Sequence, residues 1–154
     1  MTWQPGRDRI TDLLESGELQ QVTADRAMGQ LLLDDARHLA SAAAASASGD
    51  LSGGYLLAYD ALRKSAASLL AVQGLRATSR GGHIAVQEAV VAQFGSTVRV
   101  FRSFSRVRAR NGFEYHSTTT PGPSADDVID AIAIATQTRE AAVTILEQDL
   151  LTKW

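Results

Sequence analysis

The chain of 154 residues has no cysteine, which excludes a disulfide scaffold, thiolate zinc sites and cysteine nucleophiles. Its three histidines, His38, His83 and His116, are dispersed along the sequence and do not suggest a metal cluster, so no metal site and no cofactor are expected. Only three prolines, Pro5, Pro121 and Pro123, interrupt it. No stretch approaches the roughly 18 apolar residues of a membrane-spanning helix. The opening "MTWQPGRDRITDLLESG" lacks a basic segment followed by an apolar run and a small-residue cleavage site. The expectation is a soluble, cytoplasmic protein without membrane association. A formal net charge of -2 argues against indiscriminate coating of nucleic acid, yet a balanced sum can hide a local basic surface.

What is abundant is alanine and leucine, and no segment alternates apolar and polar residues long enough to look like a paired strand. The pattern predicts one all-α domain over residues 1–154, an antiparallel up-and-down helical bundle with residues 1–20 as a peripheral N-terminal segment. A short first helix spans Asp8 to Glu15 and stops at Gly17; a long second one starts near Thr23. The third begins near Leu51 and ends at Gly74, since glycine tolerates left-handed backbone angles. Its Tyr55, Tyr59, Leu62, Ala66, Leu69 and Leu70 recur at helical spacing and face a core. A fourth helix covers "HIAVQEAVVAQF", a fifth runs from Thr97 to Arg110, and a sixth extends from a capping-box-like Ser124-Ala-Asp-Asp127 towards Leu151. "GDLSGG" reads either as a linker or as the continuation of helical packing.

Charge becomes organised in the fifth helix. At 100° per residue, Arg99, Arg102, Arg106 and Arg110 fall on one face and Val100, Phe101, Phe104 and Val107 on the opposite one. Guanidinium groups engage phosphates bidentately, so Arg99, Arg102 and Arg106 are candidate RNA-binding residues; the alternative is a solvated face that pairs with acids elsewhere. Phe101, Phe104 and Phe113 leave aromatic surface that suits a two-fold interface.

"YLLAYDALRKSAASLLAVQGLRATSRGGHIAVQEAVVAQFG", followed by a basic helix ending in "RVRARNGFEYH" and a proline-bearing loop before a last helix, resembles the HEPN superfamily of small helical bundles. The resemblance covers most of the chain. Its sharp part is Arg110-Asn111 followed by His116, similar to the family's R-x4-6-H motif with a polar residue after the arginine. The resemblance implies a homodimer whose motif copies meet across the interface and whose catalytic members cleave RNA without a metal. It also implies a possible nucleotidyltransferase-type antitoxin partner, as in a toxin-antitoxin or defence system. On that resemblance, Arg110, Asn111 and His116 are the catalytic candidates. Chemically, an RNA 2'-hydroxyl attacks its own phosphodiester once a base removes its proton and a cation stabilises the phosphorane. Imidazole and guanidinium supply those roles, with Asn111 orienting the phosphate or the imidazole. The alternative is a catalytically silent module that binds a protein partner or nucleotide, with His116 incidental to its loop.

The remaining candidates are weaker. His83, after "SRGG" at a helix start, reads as a buried or capping residue, although such a start can also cradle an anion. His38 reads as a surface residue. Asp34-Asp35 and Asp126-Asp127 are neighbours in helices and diverge by about 100°, too far to share a proton or metal. No serine lies in a G-x-S-x-G turn.

Overall fold

A computed structural model describes residues 3–110 and 121–154. Its described residues form a helical bundle with one minimal sheet. The elements are α1 (Arg7–Glu15), β1 (Leu19–Gln21), α2 (Arg26–Ser46), α3 (Leu51–Gln73), β2 (Leu75–Ala77), α4 (Gly82–Phe94), a 3₁₀ turn (Arg99–Ser103), α5 (Phe104–Arg110) and α6 (Ala125–Glu147). Helix α3 is the central element and packs against α2, α6 and α4.

The sequence accounts for that centrality. Along α3, Tyr55, Ala58, Tyr59, Leu62, Ala66, Leu69 and Leu70 are all buried, and small residues fill the close approaches. Ser65 and Ser68, also buried, donate to the carbonyls of Ala61 and Ser65 at 3.0 and 2.6 Å, so their hydroxyls need no external partner. Facing them on α2, a Cβ at Gly29 would stand 2.7 Å from the Val72 side chain. This glycine sets how closely α2 and α3 approach.

The helix boundaries follow local chemistry. Asp25 caps α2 by accepting from the Met28 amide at 2.8 Å, and Asp50 caps α3 by accepting from the Gly53 amide at 2.9 Å. "GDLSGG" is therefore a helix start and not a linker. The expected start of the second helix near Thr23 moves to Arg26, because Asp25 is the residue whose side chain reaches a free amide. Ser124 and Asp127 form the reciprocal capping box expected for the last helix, which ends at Glu147, short of Leu151, as Asp149 takes a positive φ of 52°. Gly74 closes α3 with φ 76°.

Two strands that the sequence pattern did not indicate pair antiparallel, with Leu19 opposite Ala77 and Gln21 opposite Leu75. Three residues are too few for alternation to register. Residues 1–20, expected to be peripheral, bring Ile10, Leu13 and Leu19 into the core, and α1 packs on α4. An apolar i, i+3 pair on so short a helix is enough to bury one face.

Between α3 and α4 the core contains a polar pair. Gln73 and Gln93 exchange amide hydrogen bonds at 2.7 and 3.1 Å, and both are buried. Among the described residues no helix is long and apolar enough to cross a membrane.

Candidate functional site

The arginine-bearing segment after α4 is two elements. The Thr97 and Val98 amides donate to the Phe94 carbonyl at 3.1 and 2.7 Å, the chain tightens into the 3₁₀ turn, and α5 proper starts at Phe104. The continuous helix expected from Thr97 is thus broken by this turn, whose repeat is nearer three residues than 3.6. The division of faces nevertheless holds: Phe101, Phe104 and Val107 are buried, while Arg99, Arg102 and Arg106 are exposed. Phe94 and Tyr59 pack against Phe101 and Phe104, with ring centroids 5.7 and 6.2 Å apart. Phe101 and Phe104 are fully enclosed within the single chain and supply no spare aromatic surface for a partner. Phe113 lies outside the described residues.

Two of the three exposed arginines have intramolecular partners. Arg102 Nε donates to the Gly95 carbonyl at 2.5 Å, covering the C-terminal end of α4, where a cation is favoured. Arg106 lies 3.1 Å from the Asp130 carboxylate on α6, and both of those side chains are about half exposed. Arg99 stands exposed at the head of the 3₁₀ turn. Helix α5 is held down from beneath by Tyr55, whose hydroxyl donates to the Val107 carbonyl at 2.9 Å. Arg110 is the last residue of α5; its side chain, Asn111 and His116 lie outside the described residues.

The described residues bring a different histidine into chemical company. His83 and Gln87 sit one turn apart on α4, Tyr59, Asp60 and Arg63 on α3, and Arg108 on α5. The Tyr59 hydroxyl and His83 Nδ1 are 3.2 Å apart, with ring centroids at 5.8 Å. Arg108 Nε donates to Gln87 Oε1 at 2.5 Å, and Arg63 is held on Asp60 through Nε at 3.0 Å and through Nη2. Tyr59 is buried, whereas Arg63 and Arg108 are half-buried and His83 is exposed overall.

The electrostatics follow from that placement. Partial burial holds the His83 imidazole below its usual range; Arg63 acts in the same direction and Asp60 opposes it. Burial pushes the Tyr59 phenol up, while Arg108 and Arg63 pull it down and Asp60 raises it. The sequence reading of His83 as a buried or capping residue is therefore replaced by a histidine whose ring rests on a buried tyrosine. A signal for this was present, because a tyrosine on the core face of a helix requires a partner for its hydroxyl. Nothing in the spacing said that the partner would be His83.

A separate apolar cleft of about 540 Å3 opens between α2, α3, β2 and α4, lined among others by Met28, Leu32, Leu70, Leu75 and Val86. Its charged lining residues are Asp25, committed to capping α2, and Arg76. Of the site residues expected from the sequence, Arg99, Arg102 and Arg106 do not line it. His38 is exposed on α2, and among the described residues no group of three or more His, Asp or Glu side chains is arranged to hold a metal ion.

Compared with protein-family models, curated proteins and solved structures, the chain finds no match.

Proposed function

We propose that this chain is an RNA-directed protein of the HEPN type, a metal-independent endoribonuclease in which Arg110, Asn111 and His116 act on the phosphodiester. The observation that supports this reading is the exposed arginine face of the 3₁₀ turn and α5. Buried Phe101, Phe104 and Val107 fix that segment to the bundle, so Arg99, Arg102 and Arg106 face solvent on a rigid support. The described part of the same helix reaches Arg110, the first residue of the motif. A positive edge leading into the motif is what an RNA backbone needs for docking before cleavage.

In the proposed reaction, His116 removes the proton of the 2'-hydroxyl, and that oxygen attacks the adjacent phosphorus. Arg110 balances the charge gathering on the phosphate oxygens. The 5'-oxygen leaves with a proton, giving a 2',3'-cyclic phosphate and a 5'-hydroxyl. A homodimer and a nucleotidyltransferase-type antitoxin belong to the same proposal. Sequencing the ends of cellular RNA after expression of the protein, with His116→Ala beside it, tests this directly.

A second reading, a catalytically silent module that binds a protein partner or nucleotide, draws support from the Arg102–Gly95 and Arg106–Asp130 contacts. These engage two of the three arginines within the chain. The two readings separate on whether RNA affinity responds to substitution of Arg99 and Arg106.

A further inference from the structure

We propose that His83, Tyr59, Arg63 and Arg108 form a binding site for a single phosphate group at the junction of α3, α4 and α5. The inference stands beside the RNA-cleavage reading and uses none of its motif residues.

Three observations carry it. The first is charge. Tyr59, Asp60 and Arg63 face the site from α3, His83 and Gln87 from α4, and Arg108 from α5. Asp60 is committed to Arg63, and among the described residues Arg108 meets only the neutral amide of Gln87. With His83 and Tyr59 neutral, the cluster has one positive charge unbalanced among the described residues, in a half-buried setting where a counter-ion is favoured more strongly than on an open surface.

The second is the direction of the donors. A phenol is a more acidic donor than a neutral imidazole N–H, and the imidazole lone pair is the better acceptor. Tyr59 therefore donates to Nδ1 across the 3.2 Å contact, which leaves the proton of the neutral ring on Nε2. Nε2–H points away from Tyr59, since the two ring nitrogens lie on different edges. Arg108, engaged through Nε, keeps the N–H groups of its terminal nitrogens for a second partner. A phosphate group accepts from both kinds of donor at once.

The third is accessibility. Tyr59 is buried but His83 is exposed overall, and Arg63 and Arg108 are half-buried, so the donors are held from below and open from above.

The phosphate group could come from free inorganic phosphate, a nucleotide or an RNA backbone, and separate arms distinguish these sources. The experiment follows the imidazole proton resonances of the full chain, with His83 assigned by His83→Gln. Inorganic phosphate, AMP, adenosine and an RNA dinucleotide are each titrated at constant ionic strength. The expected result is a saturable shift of the His83 resonance with at least one phosphate-bearing probe and none with adenosine. The bound anion should also move the His83 titration to higher pH. Arg108→Gln and Arg63→Gln should each weaken binding about tenfold or more while their melting curves stay cooperative; Arg63→Gln guards against misfolding caused by Arg108→Gln. A His83 resonance that ignores every phosphate probe, responds equally to adenosine, or shifts unchanged in both variants overturns the inference. RNA cleavage by a protein whose His83 is blind to phosphate would overturn this inference alone, and phosphate binding without cleavage would overturn the ribonuclease reading alone.

Discussion

The side-chain amides of Gln73 and Gln93 satisfy each other across the α3–α4 interface, with one hydrogen bond of 2.7 Å and a second of 3.1 Å. Both residues are buried among apolar neighbours, so neither amide has water to turn to. Replacing Gln93 by leucine strands the Gln73 amide and should destabilise the protein by about 1–3 kcal/mol. Replacing both by leucine removes the unmet demand and should recover part of that loss. Urea unfolding of the two single variants and the double variant measures it; a double variant as unstable as the sum of the singles would mean that the amides act independently.

Gly74 offers a backbone test. It adopts φ 76° at the end of α3, and a Cβ there would stand 2.7 Å from the Val22 carbonyl. Gly74→Ala should cost about 1–3 kcal/mol through left-handed strain together with the clash. Gly17 also has positive φ, but a Cβ there meets nothing within 4 Å, so Gly17→Ala should cost less. Thermal melts of the pair check the order.

Much of the helical framework was legible in the sequence because its signals are local. Gly74 and the Ser124–Asp127 box marked helix ends by chemistry confined to a few residues, and the burial of Tyr55, Tyr59, Leu62 and Leu69 followed from their period. The strands Leu19–Gln21 and Leu75–Ala77 were invisible because a three-residue strand has no period to read. The 3₁₀ turn was missed because a helix wheel assumes 3.6 residues throughout. The His83 cluster needed three elements to meet: Tyr59 and His83 are held together by how α4 lies on α3, and Arg108 joins through α5. Of the expected site, the solvent-facing arginines were legible from spacing, but their attachment to Gly95 and Asp130 was not.

His83 should give a pH signature in stability. Its folded-state pKa lies below the unfolded value of about 6.5, so the unfolded chain binds more protons in that window. Stability from this group is therefore fully present above about pH 6.5 and is lost as pH falls through that value towards the folded pKa. His83→Gln should flatten the pH dependence of the unfolding midpoint on the acid side of about pH 6.5. An unchanged slope would show that the imidazole gains no proton on unfolding there.

The arginine face separates docking from internal pairing. Arg99→Glu with Arg106→Glu should weaken RNA binding and flatten its salt dependence by about 0.7 in the log–log slope for each phosphate that the face no longer neutralises. Exposed pairs such as Arg106–Asp130 are worth about 1 kcal/mol or less, so the melting temperature should change little. RNA affinity measured by fluorescence anisotropy across salt concentrations checks this. Affinity that is insensitive to both substitutions would favour a face that only pairs internally.

The most direct measurement is the chemistry of RNA ends after expression of the protein alone. Wild-type protein should generate new ends bearing 2',3'-cyclic phosphates and 5'-hydroxyls, in the presence of a chelator when repeated with purified protein, and His116→Ala should abolish them without altering the melting temperature. No new ends from the wild type, or undiminished cleavage by His116→Ala, would contradict the assignment of His116 and favour the silent binding module.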